Sequence, residues 1–425
     1  MSTQLHLSKG SDTRLPLVFI GCGLGFLFVG ALRLLLAPSL LTQPYFAPAV
    51  VGWAHLWLPG FLLTVSIGAV YQLMPVLMGN ALAFGRTTPW VHCILHTTGV
   101  GILAWSLSVG KYLWAAAAGS AIVAGAALFF AVVVVTFKHA RRRDPAAWSL
   151  PLAAAWLVAT TAFGLTLALN RQFSFLPLSA LDLLKAHAHL GLVGFFLTLL
   201  QGVSFQLVPM FTMSEVRKIH WVWTGLIMTQ IGLLILVPGL AFHLAWIGRL
   251  GALVISLGVA FSAMELCTTF LIRRRRTLEP GLIGFAAGGG VILAATVIAL
   301  AKSFGSAGVN TPRASYFYGV LIVIGGLTPI VLGMLCKIIP FLVWMKAYGP
   351  LVGKRKVPPA TTLGNKRLET TWAVLHLVAA ATLLSAVALV IPGLALAGAA
   401  IFCSSLIIFG INAAKIASHL HVRPE

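Results

Sequence analysis

Residues 55–75 read HLWLPGFLLTVSIGAVYQLMP, residues 189–209 read HLGLVGFFLTLLQGVSFQLVP, and residues 320–340 read VLIVIGGLTPIVLGMLCKIIP. The first two agree at 11 of 21 positions. All three keep glycine at the sixth position, glycine at the fourteenth and proline at the last. The copies start 134 and 131 residues apart in a chain of 425, so the unit recurs about once per third of the sequence. Two copies open on histidine (His55 and His189), and the third opens on Val320. The repeat predicts three equivalent parts, and its first position predicts which parts carry a histidine site.

Outward from the repeat the chain is apolar throughout. Hydrophobic residues make up 59% of it and charged residues 9%, with a mean hydropathy of +0.99. That composition excludes a soluble domain and predicts a polytopic membrane protein. Twelve runs are long enough to span a bilayer: 16–36, 49–76, 89–110, 113–137, 148–169, 183–209, 219–238, 245–272, 281–301, 314–344, 369–390 and 393–416. They are predicted as helices, because lipid cannot satisfy open backbone groups. The repeat falls on the second, sixth and tenth spans. The predicted fold is an all-α membrane protein of twelve helices in three quasi-equivalent groups of four, about 16–137, 148–272 and 281–418, forming one integral membrane domain. A plan of six plus six is not what this repeat describes.

The net charge of +21 sits mainly on alternate loops. Arg141, Arg142 and Arg143 follow the fourth span, and Arg273, Arg274, Arg275 and Arg276 follow the eighth. A basic connector, 345–368, follows the tenth and reads as flexible. This bias predicts both termini inside, and the expected location is the cytoplasmic membrane of a prokaryote. The cations answer to lipid headgroups and topology, and no nucleic-acid partner is expected. The five cysteines form no C-x-x-C, so disulfides, zinc knuckles and c-type haem attachment are not indicated. The polar first fifteen residues read as no removable signal peptide.

Histidine depth carries the functional expectation. His55, His187 and His189 all fall in the outer half of their spans, about 5–10 Å below the outer boundary by helix rise. Three intramembrane histidines at one depth, two of them at equivalent repeat positions, predict haem or metal ligation. His187 and His189 are two residues apart, so they point about 200° apart on a helix and serve different flanks. One pairs with His55 across a haem iron. The other is the single ligand of a second haem, a copper ligand, or a donor behind a ligand. Gly191, Gly194 and Gly202, with Gly60 and Gly68, would clear room for a flat macrocycle, or else serve helix packing.

Twelve helices in three groups, with His55 followed by Gly60, Gly68, Tyr71 and Gln72, resemble the catalytic subunit (subunit I) of the heme–copper oxidase superfamily, which includes nitric oxide reductases. That resemblance implies a b-type haem near the periplasmic side. It also implies electron transfer or small-gas chemistry with nitric oxide or oxygen. Partners would be respiratory-complex subunits or a periplasmic cytochrome or cupredoxin. The chain departs from the family in its copper ligands. The seventh span offers only His220, and the tenth has Tyr316, Tyr318 and Val320 where the family has histidines. The His-x-His lies on the sixth span instead. The resemblance therefore describes a small relative without the full copper site, and not a proton-pumping oxidase. Two other readings stay open: a non-catalytic membrane anchor of a larger complex, and a transporter.

Other polar residues in the spans carry weaker expectations. His92 and His96, spaced i and i+4, share a face and either hold a metal, with His376 as a third ligand, or form a hydrogen-bonded pair. Arg33 lies at the depth of His55 and suits a haem propionate, as do Arg171, Arg249 and Arg313. Glu265 and Lys337 are predicted to form an intramembrane ion pair or a proton route. Met74, Met78, Met210 and Met213 read as adaptable packing rather than copper handling. His139, His243, His419 and His421 read as solvated.

Overall fold

A computed structural model of the protein describes residues 13–305 and 311–421. Residues 1–12, most of the polar segment in which no leader is expected, lie outside the described residues. All regular structure among the described residues is helical. Among the described residues twelve helices are long and apolar enough to cross a membrane. They are α1 Arg14–Leu36, α2 Pro48–Met78, α3 Thr87–Ser108, α4 Tyr112–Lys138, α5 Pro145–Phe173, α6 Ala180–Thr212, α7 Ile219–Ala241, α8 Ala245–Leu271, α9 Pro280–Phe304, α10 Pro312–Ala347, α11 Lys366–Leu389 and α12 Pro392–His421. They match the twelve predicted runs in number and order.

Several helix starts are legible as caps. The Asp144 carboxylate accepts from the Ala147 amide at 3.0 Å, with Pro145 as the first residue of α5. Thr311 and Pro312 start α10 in the same way. The helices that carry the repeat are the interior ones. The windows of α2, α6 and α10 are 67%, 61% and 72% buried, against no more than 44% for any other helix. The pairs α3–α4, α7–α8 and α11–α12 make some of the most extensive helix contacts.

The three interior helices share a local feature that periodicity does not reveal. Each widens into a π-helix right after the first repeat position: Leu56–Leu63 after His55, Leu190–Leu197 after His189 and Leu321–Leu327 after Val320. A π turn spoils the regular carbonyl ladder and recurs at functional sites. A threonine follows each π segment and bonds back five residues. Thr64 Oγ1 donates to the Pro59 carbonyl at 2.9 Å, Thr198 Oγ1 to Val193 at 3.3 Å, and Thr328 Oγ1 to Val323 at 2.7 Å. Pro59 is not the cause, because Val193 and Ile324 stand at its position in the other copies.

Each threonine also takes a hydrogen bond from another helix. His96 Nε2 of α3 reaches Thr64 at 2.9 Å, Gln230 Nε2 of α7 reaches Thr198 at 3.0 Å, and Trp57 Nε1 of α2 reaches Thr328 at 2.8 Å. His96 Nε2 lies 3.3 Å from the Pro59 carbonyl, and His376 Nε2 lies 3.3 Å from the Ile324 carbonyl, the same repeat position. Both histidines thus cap π-segment carbonyls that would otherwise be orphaned in a dry interior.

The repeat glycines serve helix packing rather than the cavity. A Cβ on Gly60 would meet Phe26 of α1 at 3.0 Å, one on Gly194 would meet Trp156 of α5 at 2.8 Å, and one on Gly68 would meet Phe19 of α1 at 2.6 Å. Gly202 likewise abuts Ser149 of α5. Close approach of the preceding helix requires these small residues. Of the five glycines considered for a macrocycle, Gly191 alone lines the cavity described below. The connector expected to be flexible is pinned, because the Trp344 indole donates to the Pro358 carbonyl at 2.7 Å and Leu363 is buried.

Candidate functional site

A cavity of about 1240 Å³ opens at the face where α2, α6 and α10 begin, and it wraps both flanks of α6. His55, His187 and His189 all line it. The wall on one flank comes from α2, α3, α4 and α5, and on the other from α7, α8, α9 and α10. The volume exceeds the roughly 300–1,000 Å³ usual for one small-ligand pocket.

The histidines are held in two ways. His55 Nδ1–H donates to the Val51 carbonyl at 2.8 Å, and His189 Nδ1–H donates to the Lys185 carbonyl at 2.8 Å. Each bond runs four residues back along the helix and fixes the tautomer. Each leaves Nε2 with its lone pair, the form in which imidazole binds a metal. His187 sits differently. Its ring stacks parallel to Phe163 of α5, with centroids 6.4 Å apart, and a Cβ on Gly164 would meet its Cε1 at 2.9 Å. Its Nδ1 is buried without a well-aligned partner, although the Thr160 backbone lies beside it. His187 also lies within electrostatic reach of His55. On α6, Leu183 and Ala186 pack with Ala241 of α7, which leaves His187 and His189 on opposite sides of that contact line.

The cavity mouth is cationic. Arg171, Lys185, Arg249 and Lys302 line it against one carboxylate, Asp182. Asp182 is shared by Lys185 Nζ at 2.8 Å and His243 Nδ1 at 3.2 Å, so His243 belongs to the rim rather than to solvent alone. Arg171 lies over the Tyr112 ring, and Arg249 Nε donates to the Ser303 carbonyl at 3.0 Å. Tyr45, in the loop before α2, also lines the mouth. Burial pushes its phenol above the ordinary range, and Lys185 opposes that shift.

Several expected site residues stand elsewhere. Arg33 is not in the cavity wall. Its guanidinium donates to Ser108 Oγ at 2.6 Å and to the Ala49 carbonyl at 3.1 Å, clamping α1 to α2 and α3. Arg313 is committed in the same way to the Leu41 carbonyl. His92 and His96 do share a face, with centroids 5.8 Å apart. His92 Nδ1 pairs with the Tyr71 hydroxyl at 2.9 Å, while His96 holds Thr64, and His376 packs on Trp372 and Phe402 of another region. Among the described residues no three His, Cys, Asp or Glu side chains converge as a metal-holding group. His419 pairs with the Tyr348 hydroxyl at 2.8 Å and is not merely solvated.

The expected Glu265–Lys337 pair does not form. Lys337 Nζ pairs with Glu279, which also takes Arg275 at 2.5 Å. Glu265 is fully buried on α8, and its Oε1 accepts the Arg217 amide at 2.7 Å. The two side chains face different neighbours.

Sequence reasoning passed over Gly164, Lys185 and the place of Tyr318 in the cavity wall. A signal for Gly164 was available: Gly30, Gly164 and Ala295 lie 23 residues before Trp53, His187 and Tyr318, each two residues ahead of a repeat. Compared with known protein families and with curated proteins, the chain has no match.

Proposed function

We propose that this chain is a haem-binding integral membrane redox protein, with a b-type haem held in the α2–α6 flank of the cavity by His55 and His187. The observation that carries this reading is the pair itself. Two imidazoles from different helices line one cavity within electrostatic reach of each other, one with its tautomer set for ligation and the other with its Nδ1 buried beside the Thr160 backbone.

The surroundings suit a haem in two further ways. Gly164 lets the His187 ring seat against α5, and Gly191 keeps the α6 wall bare near it. The cationic mouth offers Arg171, Lys185, Arg249 and Lys302 to a pair of propionates, the role first expected of Arg33. A haem held by His55 and His187 would supply single-electron transfer there. The chain's own residues would position it. The Val51 carbonyl orients the His55 ring, Phe163 and Gly164 seat the His187 ring, and the apolar wall below excludes water.

In this reading the twelve helices form three quasi-equivalent groups of four, as in the heme–copper oxidase catalytic subunit. The shared π segments and the 23-residue register support that grouping. The loop cations support a cavity mouth on the periplasmic side of a prokaryotic inner membrane, with both termini cytoplasmic. A periplasmic electron carrier or a respiratory partner subunit would meet the protein there. Copper is not part of the proposal, since among the described residues no three-ligand set converges.

A transporter is the competing reading, favoured by the cavity's opening to one face. The purified protein decides between them. The haem reading expects a sharp reduced α-band and a positive pyridine haemochrome, with the band lost in His55→Ala and in His187→Ala. A colourless protein that incorporates no haem on reconstitution overturns it.

A further inference from the structure

The end of the molecule opposite the cavity mouth carries a basic surface that the haem reading does not use. It is built from two loops, 213–218 between α6 and α7 and 272–279 between α8 and α9. The loops are tied together. The Arg275 amide donates to the Thr212 carbonyl at 3.3 Å, and Arg275 Nη1 donates to the Phe211 carbonyl at 3.5 Å. Their backbone is also held from within the helices. Glu265, fully buried on α8, accepts the Arg217 amide at 2.7 Å, and the Ser214 amide closes the end of α6 on the Pro209 carbonyl at 3.0 Å. A buried carboxylate is costly in a membrane protein, and here it fixes a loop that presents cations.

Charge on this surface is unbalanced. The loops hold Arg217, Lys218, Arg273, Arg274, Arg275 and Arg276. Arg275 is committed to Glu279, which Lys337 shares, and Arg273 caps the Phe270 carbonyl at 2.8 Å. Arg217, Lys218, Arg274 and Arg276 are exposed, and among the described residues none of the four has a carboxylate partner. Lys218 Nζ instead lies 3.9 Å over the Trp221 ring. Glu215 is the one exposed acid in the two loops. The basic loop after α4 is different. There Arg142 pairs with Asp144 at 2.8 Å, and Arg143 lies over Phe137 and donates to the Lys138 carbonyl at 3.2 Å.

Exposed apolar side chains border the unpaired cations. Met210 and Met213 lie at the end of α6, Ile219 starts α7 and Leu271 ends α8, and all four are exposed. Cations beside an apolar helix boundary match a phosphate headgroup above its acyl chains.

We propose that this surface is a binding site for an anionic glycerophospholipid. Arg217, Arg274 and Arg276 supply the guanidinium forks that suit phosphodiester oxygens, and Lys218 adds a point charge. The acyl chains lie along Met210, Ile219 and Leu271. The proposal does not depend on what occupies the cavity.

The test uses the full chain in phosphatidylcholine nanodiscs with and without phosphatidylglycerol, read by native mass spectrometry and thermal unfolding. Phosphatidylglycerol should stay bound and raise the unfolding temperature, where phosphatidylcholine and inorganic phosphate do neither. Each cation near an anionic headgroup counts for about a fivefold gain. The triple variant Arg217→Gln, Arg274→Gln, Arg276→Gln should therefore retain the lipid about a hundredfold less well. The control Arg142→Gln, Arg143→Gln should retain it as the parent chain does.

Equal retention in the parent chain and the triple variant overturns the proposal. So does an equal loss in the control, which would reduce the effect to general attraction to an anionic surface. Stabilisation by inorganic phosphate alone overturns the lipid as occupant. Glu215→Gln keeps the proposal open to refutation where the triple variant does not fold. It removes the exposed acid and should raise retention about fivefold, and unchanged or lowered retention overturns the proposal.

Discussion

The α2–α6 flank and the α10–α2 flank are built on the same repeat register and reach opposite outcomes. In the first, the inward positions are His55, His187 and Gly191, against Gly164 on the adjoining helix. In the second they are Val320, Trp53 and Trp57, against Gly30, and their side chains form a filled end wall of the same cavity. Trp57 and Gly191 hold the same repeat position, and the indole fills on one flank what the glycine leaves open on the other. Trp57 is 1% exposed, donates to Thr328 and contacts both Trp53 and Phe402. A shared backbone frame, π segment included, therefore does not by itself make a cavity. Side-chain volume at a few inward positions does, because helix spacing is already set by the glycine contacts with α1, α5 and α9.

That comparison can be broken in graded steps. The largest expected effect is in His55→Ala, where the proposed low-spin α-band should disappear from the reduced spectrum while the protein remains monodisperse. Gly191→Trp should turn the open flank into a copy of the closed one. Its Cβ would meet only Thr160 Cγ2, at 3.4 Å, so the indole has the cavity to occupy. Haem content should fall severalfold with thermal stability unchanged or raised, and retention of a full haem complement would show that the macrocycle lies elsewhere.

The converse change, Trp57→Ala, removes a large buried ring and strands the Thr328 hydroxyl. It should cost about 3–5 kcal/mol in unfolding assays, with the spectrum of the opposite flank preserved. Glu279→Gln leaves Lys337, whose side chain is 10% exposed, without its carboxylate. A loss of about 3 kcal/mol is expected, with recovery in the double variant that adds Lys337→Met. No recovery would mean that Glu279 acts through Arg275 alone. The smallest effect is expected in His96→Ala, about 1–3 kcal/mol from an uncapped π carbonyl, with no change in haem spectrum. A lost α-band there would return His96 to the list of ligands.

Much of the fold was legible because bilayer physics leaves few options. Twelve apolar runs became twelve helices, and the repeat marked the three that turned out to be interior. The histidine trio was legible for the same reason, since a polar ring in an apolar span needs a purpose. Arg33 and the Glu265–Lys337 pair were misread because span depth gives height in the membrane but not azimuth. Arg33 points between α1, α2 and α3, and Lys337 points to Glu279. His96 and His376 were ambiguous from spacing alone. Their hydrogen bonds to π-segment carbonyls depend on a backbone distortion that hydropathy does not encode.

Composition and repeat alone determined that this chain is a helical membrane protein built on a recurring unit, because lipid admits only internally bonded backbone and a thrice-written segment must pack in related ways. They also determined that His187 and His189 diverge, because the pitch of a helix sends residues two apart to opposite flanks. Tertiary structure alone decided which flanks stay open, which cations line the mouth, and which glycines clear a cavity rather than seat a neighbouring helix. Those outcomes depend on which side chain from a distant segment arrives at each inward position, and on how much of the space between helices it fills.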